Sequence, residues 1–156
     1  MQDLAGCRIV VEGLSLQDEV TERLAQLFPQ AKVKDRRQRP SHGYRAVHLI
    51  APVQGRQVEV QVRTSLQEAW AGAVESLSDF LGVDFKHGEE KPGEPWLEAL
   101  QLAADYLETI EREERSLERL GQSRWRGMSH VELTGYRKGQ FSAVMALVPY
   151  IRKLSG

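Results

Sequence analysis

A chain of 156 residues, 41% hydrophobic and 28% charged, has the length and mixture of a single globular domain able to bury a real core. Its net charge of −1 supplies no global field toward nucleic acid or a membrane surface, so any anion site has to be local. The single Cys7 excludes an intramolecular disulfide and a cysteine-based zinc site, and with no run of about 18 apolar residues and no basic-then-apolar start the expected location is the cytoplasm.

"LAGCRIVVEG", residues 4–13, reads as a β-strand rich in β-branched residues and closed by Gly13. From Ser15 to Phe28 the apolar residues Leu16, Val20, Leu24, Leu27 and Phe28 recur at helical spacing; Ser15 and Asp18 read as a capping pair, and Pro29 ends the helix. "AKVKDRRQRPSHG" opens as a short strand and becomes a basic loop punctuated by Pro and Gly. Strands 44–53, "YRAVHLIAPV", and 57–64, "QVEVQVRT", are joined through Gln54-Gly55-Arg56 as an antiparallel hairpin. Ser65 and Glu68 read as the capping box of a second helix, whose inward stripe is Leu66, Trp70, Ala73, Leu77 and Phe80. After the loop "KHGEEKPGEP", a third helix from about Pro95 to Leu120 buries Trp96, Leu100, Ala103, Leu107 and Ile110, and its end "EREERSLERL" reads as a solvated face. "FSAVMALVPYIRKL" reads as a final helix bent by Pro149. The order predicts an α+β domain: a mixed sheet of about four to five strands flanked by helices.

Strand side chains alternate between faces, so parity decides neighbours. Val58, Val60 and Val62 form a core face, and Glu59, Gln61 and Arg63 form a polar row; Tyr44, Ala46, His48 and Ile50 share one side of the preceding strand, and Asp3, Ala5, Cys7 and Ile9 one side of the first. A sheet face bearing Glu59, Gln61, Arg63, Tyr44 and His48 is expensive to cover with a helix and suits an open cleft. Asp3 and Glu59 on adjacent strands supply the hard oxygen ligands that magnesium takes. Arg36, Arg37 and Arg39 lie on the loop entering this face, where guanidinium forks match phosphate oxygens, and Tyr44 offers a flat ring for a base. Each feature alone has a plainer reading: a solvated acid, the wet face of an antiparallel sheet, a packed tyrosine, a hydrogen-bonded imidazole, a solubilising loop. Together they describe a nucleotide site.

In order and spacing, "DLAGCRIVV", "RPSHGYRAVH" and "VEVQVRTSLQEAWAGAVE" resemble the synthetase domain of the RelA/SpoT alarmone synthetases, over Asp3 to about Leu81 and most closely the small single-domain members. The resemblance implies a nucleotidyltransferase-like fold, with residues 1–90 as the nucleotide-binding core and 91–156 as a helical extension. It implies magnesium-dependent transfer of a pyrophosphoryl group from ATP to the ribose 3′-hydroxyl of GDP or GTP. On the matching positions, Asp3 is the metal-binding aspartate, and Glu59 helps hold magnesium and activates the attacking hydroxyl. Tyr44 stacks on the acceptor guanine; His48, Gln61 and Arg63 line the acceptor pocket; Arg39, Arg37 and His42 face phosphates or the ribose. The family's upstream Arg-x-Lys…Ser…Lys element, which grips ATP, would precede Asp3, and "YRKGQFSAVMALV" does not replace it: Lys138 and Ser142 are four apart, but Tyr136 and Ala146 occupy the flanking basic positions. His42 stands where many members have Asn, and Glu75-Ser76 where they have Glu-His. The acceptor half is therefore expected to be better kept than the donor half. Three functions follow: an alarmone synthetase, a non-catalytic module that binds guanine nucleotide or alarmone, or a toxin-type pyrophosphokinase acting on tRNA 3′ ends. Small members associate through terminal helices, so a homo-oligomer is expected, and no membrane partner.

Overall fold

The computed structural model describes residues 5–40, 43–81 and 95–119. Among these run β1 (Ala5–Val11), α1 (Leu14–Leu27), β2 (Lys32–Asp35), β3 (Val47–Val53), β4 (Arg56–Thr64), α2 (Ser65–Leu81) and α3 (Pro95–Arg119). The fold is α+β, with a mixed sheet in the order β1-β4-β3-β2: β1 runs parallel to β4, and the other neighbours are antiparallel. The chain divides into two compact units, Met1–Glu68 and Ala69–Gly156, and α2 runs across their boundary. No described helix is long and apolar enough to cross a membrane.

The hairpin predicted at Gln54-Gly55-Arg56 closes through a two-residue loop, since Val53 already pairs with Arg56. Gln54 and Gly55 take φ of 49° and 76°, the left-handed pair whose twist matches that of the strands it joins. The alternation of β3 and β4 then sorts the sheet into two faces. Leu49, Ala51, Val60 and Val62 make the core on one face, and Ile9 of β1 joins them. Helix α1 lays Val20, Leu24 and Ala25 on this core, followed by Phe28 and Ala31. Leu16 and Leu27, read as part of the same stripe, are instead 41% and 71% exposed. The seated residues Val20, Leu24, Ala25 and Phe28 define the inward face, and Leu16 and Leu27 lie together on one flank of it.

Both helix starts differ from the predicted caps. Gly13, extended and without a side-chain cap bond, is the N-cap of α1, and the Asp18 carboxylate turns to Arg37. At α2 the capping box sits one residue earlier than Ser65–Glu68. The Gln67 backbone N–H donates to Thr64 Oγ1 at 3.1 Å, and the Thr64 N–H donates to Gln67 Oε1 at 3.2 Å. That leaves the Glu68 carboxylate available to arginines.

A polar cluster ties these elements together on the helix-covered side. The Arg37 guanidinium forks onto Asp35 at 2.9 and 2.6 Å and reaches Asp18 at 2.7 Å and Gln17 Oε1 at 3.2 Å. Gln17 is completely buried and donates to both Val62 O and Gln67 Oε1 at 2.8 Å. The hydrogen bonds from Arg37 outweigh burial and hold the Asp35 carboxyl below its usual value.

In the second unit, the predicted α2 residues Trp70 and Ala73 are buried, while the side chains of Leu77, Phe80 and Trp96 lie outside the described set, as does the predicted final helix. On α3 the buried line is Leu100, Ala104, Leu107, Glu111 and Glu114. Ala104 is buried where Ala103 and Ile110 were predicted to be, and those two are half-buried. The charge run is not one solvated face: Glu111 and Glu114, 3% and 7% exposed, continue the apolar line at helical spacing, while Arg112, Glu113 and Ser116 point outward.

Thr64→Val, which keeps the shape but leaves the buried Gln67 N–H without its acceptor, should cost about 1–2 kcal/mol in urea unfolding, and Thr64→Ser much less. A carboxyl whose folded value is lowered contributes stability that is complete above its unfolded value, about 3.9 for Asp, and lost as pH falls through the lower folded one. Asp35→Asn should accordingly reduce stability at neutral pH and flatten the acid limb of the stability–pH curve.

Candidate functional site

The second face of the sheet carries the polar row of β4. Register places Lys34, His48, Gln61 and Arg8 in one line across the four strands, and Lys32, Ile50, Glu59 and Gly6 in the next. The even positions of β1 therefore share the Glu59 face, and the odd ones go with the core. Gly43, at φ 75°, turns the chain out of the basic loop and delivers Tyr44 to the edge of this face.

Five of the predicted residues close into a ring. Arg63 donates to the Tyr44 hydroxyl and to Gln61 Oε1, each at 2.8 Å. The Gln61 amide donates to Glu59 Oε2 at 3.0 Å. His48 lies with Nε2 3.0 Å from the Tyr44 hydroxyl and Nδ1 2.8 Å from Glu59 Oε1. Arginine only donates and a carboxylate only accepts, so the polarity is fixed at both ends. One arm runs from Arg63 through Tyr44 and His48 to Glu59, the other from Arg63 through Gln61 to Glu59. This order gives neutral His48 its proton on Nδ1.

Electrostatics follow from the same contacts. Burial by itself would raise the Glu59 carboxyl, but hydrogen bonds from His48 and Gln61, with the nearby charge of Arg36, hold it below the usual glutamate value. Arg63 also sits over Tyr44, its guanidinium carbon 5.0 Å from the ring centroid, and the His48 ring meets Tyr44 edge-on at 5.9 Å. His48 and Arg63 are buried, whereas Tyr44, Glu59 and Gln61 are half-exposed. The network is thus anchored below and open above.

Two participants were not singled out in the sequence. Glu68 accepts from Arg63 at 2.8 Å and from Arg8 at 2.5 Å, bridging β4, α2 and β1. Parity was the available signal: Arg8 belongs to the even set of β1, and a parallel register puts that set level with Glu59, Gln61 and Arg63. Of the remaining predicted residues, Arg39 is exposed on the loop after β2. Arg37 is drawn to the opposite side of the sheet by Asp35 and Asp18. Asp3 and His42 lie outside the described residues. Among those described, no group of three or more acids, histidines or cysteines converges to hold a metal ion.

The sequence and fold are similar to those of known proteins. Two curated mycobacterial proteins, the uncharacterized Rv1366 of Mycobacterium tuberculosis and Mb1401 of Mycobacterium bovis, are each 29% identical over 140 residues, covering 88% of this chain and 51% of theirs. The chain thus spans about half the length of the curated relatives it matches. Small alarmone synthetase 1 from Bacillus subtilis superposes with a TM-score of 0.59 at 27% identity, over 78% of this chain and 65% of that one. The same protein bound to its product pppGpp gives 0.57 at 27% identity, over 76% and 63%. Small alarmone synthetase 2 from Bacillus subtilis gives 0.57 at 25% identity, over 73% and 64%. The family profile described as a region found in RelA / SpoT proteins matches residues 1–80, more than half of the chain, and the chain belongs to that family.

Proposed function

We propose that this chain carries the acceptor-nucleotide half of a pyrophosphokinase site, and that the protein it belongs to transfers the pyrophosphoryl group of ATP to the 3′-hydroxyl of GDP or GTP. The observation that carries this reading is the closed network from Arg63 to Glu59 through Tyr44, His48 and Gln61, on the sheet face opposite α1. It is supported by the likeness to a synthetase whose structure holds pppGpp.

Each residue type has a task in that chemistry. Arg63 covers one side of the Tyr44 ring, and the guanine stacks on the other. The ring fixes the tyrosine hydroxyl, so the stacking plane is set before the nucleotide arrives. Arg36 and Arg39, on the loop at this end of the sheet, face the acceptor phosphates. In the transfer, the 3′-oxygen attacks the β-phosphorus of ATP and the bond from that phosphorus to the α–β bridging oxygen breaks. AMP leaves, and the hydroxyl proton is released to solvent. Glu59 accepts the hydrogen bond of the attacking hydroxyl. Its lowered carboxyl keeps it ionised, so it acts by orientation and charge rather than by retaining the proton.

An ionised, half-exposed carboxylate with lone pairs beyond those used by His48 and Gln61 also fits a hard divalent cation. Glu59 and Asp3 would hold magnesium, which supplies charge neutralisation for the polyphosphate. The described odd positions of β1, Ala5, Cys7 and Ile9, lie on the core face, and Asp3 is outside the described residues.

Incubating the full chain with magnesium, radiolabelled ATP and GDP or GTP tests the reading. This chain is expected to bind GDP, and the protein that carries both halves of the site to form labelled alarmone, with Glu59→Gln lowering that turnover by about a hundredfold or more. Tyr44→Ala should weaken GDP binding by about tenfold, the worth of one base–aromatic stack. GDP binding without turnover would favour a regulatory nucleotide-binding module, and label on tRNA 3′ ends in place of GDP would favour the toxin-type activity. Absence of GDP binding would overturn the proposal.

A further inference from the structure

The cluster of Arg37 and Gln17 lies on the helix side of the sheet, away from the ring. It nevertheless holds the backbone on which the ring's surroundings depend. Asp35 Oδ1 accepts from the Arg37 backbone N–H at 2.9 Å and from its Nε at the same distance, so residues 35 and 37 are locked on either side of Arg36. Arg36 is pinned in turn by its own N–H, which donates to Ala46 O at 3.0 Å, and its charge reaches Glu59. At its other end the cluster runs through Gln17 to Gln67 and so to the Thr64 cap. The next residue, Glu68, holds Arg63 and Arg8. One pair of side chains, Gln17 buried and Arg37 half-buried, therefore joins the loop that presents the cations to the helix turn that anchors the ring.

An arginine held by two carboxylates is a costly way to fasten a helix to a strand, because an apolar contact of similar volume serves stability as well or better. What a guanidinium fork adds is direction: its planar donors fix the angle as well as the distance of the backbone that carries them. We infer that Arg37 and Gln17 are positioning residues for the proposed acceptor site, setting the loop that bears Arg36 and Arg39 so that it meets the phosphates of a guanine nucleotide. The inference rests on the proposed function, and it assigns Arg37 to the aim of the phosphate-facing loop rather than to contact with phosphate.

The test compares full-length wild type, Arg37→Met and Arg37→Lys, well below their unfolding temperatures. GDP is followed by calorimetry, guanosine by NMR titration, and the amides of residues 36–46 by hydrogen exchange. Arg37→Met should exchange faster across 36–46 and bind GDP about tenfold more weakly while binding guanosine as wild type does, because the base platform is kept and the phosphate grip is not. Arg37→Lys, which keeps a charge but loses the fork, should fall between the two and serves alone if the methionine variant does not fold. Equal weakening of GDP and guanosine would mark a general loosening and overturn the inference, as would unchanged GDP affinity in both variants. If wild type binds no GDP, the proposed function fails first and the inference falls with it.

Discussion

Strand β4 has to serve two environments at once. Val58, Val60 and Val62 alternate with Glu59, Gln61 and Arg63, so a strand that buries its valines necessarily lines up an acid, an amide and a guanidinium on the reverse face. Arg63 is buried, and an unpaired charge at that depth would be prohibitive. Glu68 pairs with it directly at 2.8 Å, and its remaining donors go to Tyr44 and Gln61, which lead on to Glu59 through His48 and the Gln61 amide. The ring, with that ion pair, satisfies the polar side chains that this register lines up. It also leaves Tyr44, Glu59 and Gln61 partly open to whatever binds.

The rest of the first unit is arranged around that requirement. Helix α1 packs on the apolar face, opposite the polar row. The tight Gln54–Gly55 turn fixes the register between β3 and β4, and with it the pairing of His48 with Gln61. A slip of one residue would exchange the two faces of a strand and bring valines to the ring and charges to the core. The parallel approach of β1 adds Arg8 to the same face, where Glu68 holds it beside Arg63. Five arginines of this unit fall into two groups by partner. Those at 8, 37 and 63 are bound to acids within the protein, and those at 36 and 39 face outward on the loop where nucleotide phosphates are proposed to lie.

Much of this was legible from local pattern. The alternation of residues 57–64, the punctuation at Gln54-Gly55 and the stop at Pro29 are short-range signals, and strand, hairpin and helix followed from them. The convergence of Tyr44, His48, Glu59, Gln61 and Arg63 was also readable, because parity on two strands joined by a short hairpin leaves few arrangements. The readings that shifted were those in which several local partners compete. Ser65–Glu68 and Thr64–Gln67 are both acceptable capping boxes by composition. Arg8 and Arg63 decide between them by drawing Glu68 away. Ser15–Asp18 lost to the same effect, with Arg37 reaching Asp18 from 19 residues downstream.

What the amino-acid order determined by itself was which side chains face together along each strand and helix, since that depends only on the backbone repeat. It settled the α+β character, the polar row on β4 and the family to which the chain belongs. Tertiary structure alone decided how charges are shared among elements: that Arg37 turns to the helix side, that Arg8 joins the ring's border through Glu68, and that Glu111 and Glu114 of a charged run go inward. The physical reason is that periodicity is a property of one segment. The choice of an ion's partner compares every opposite charge that folding brings within a few ångströms, and those distances do not exist until the chain has closed on itself.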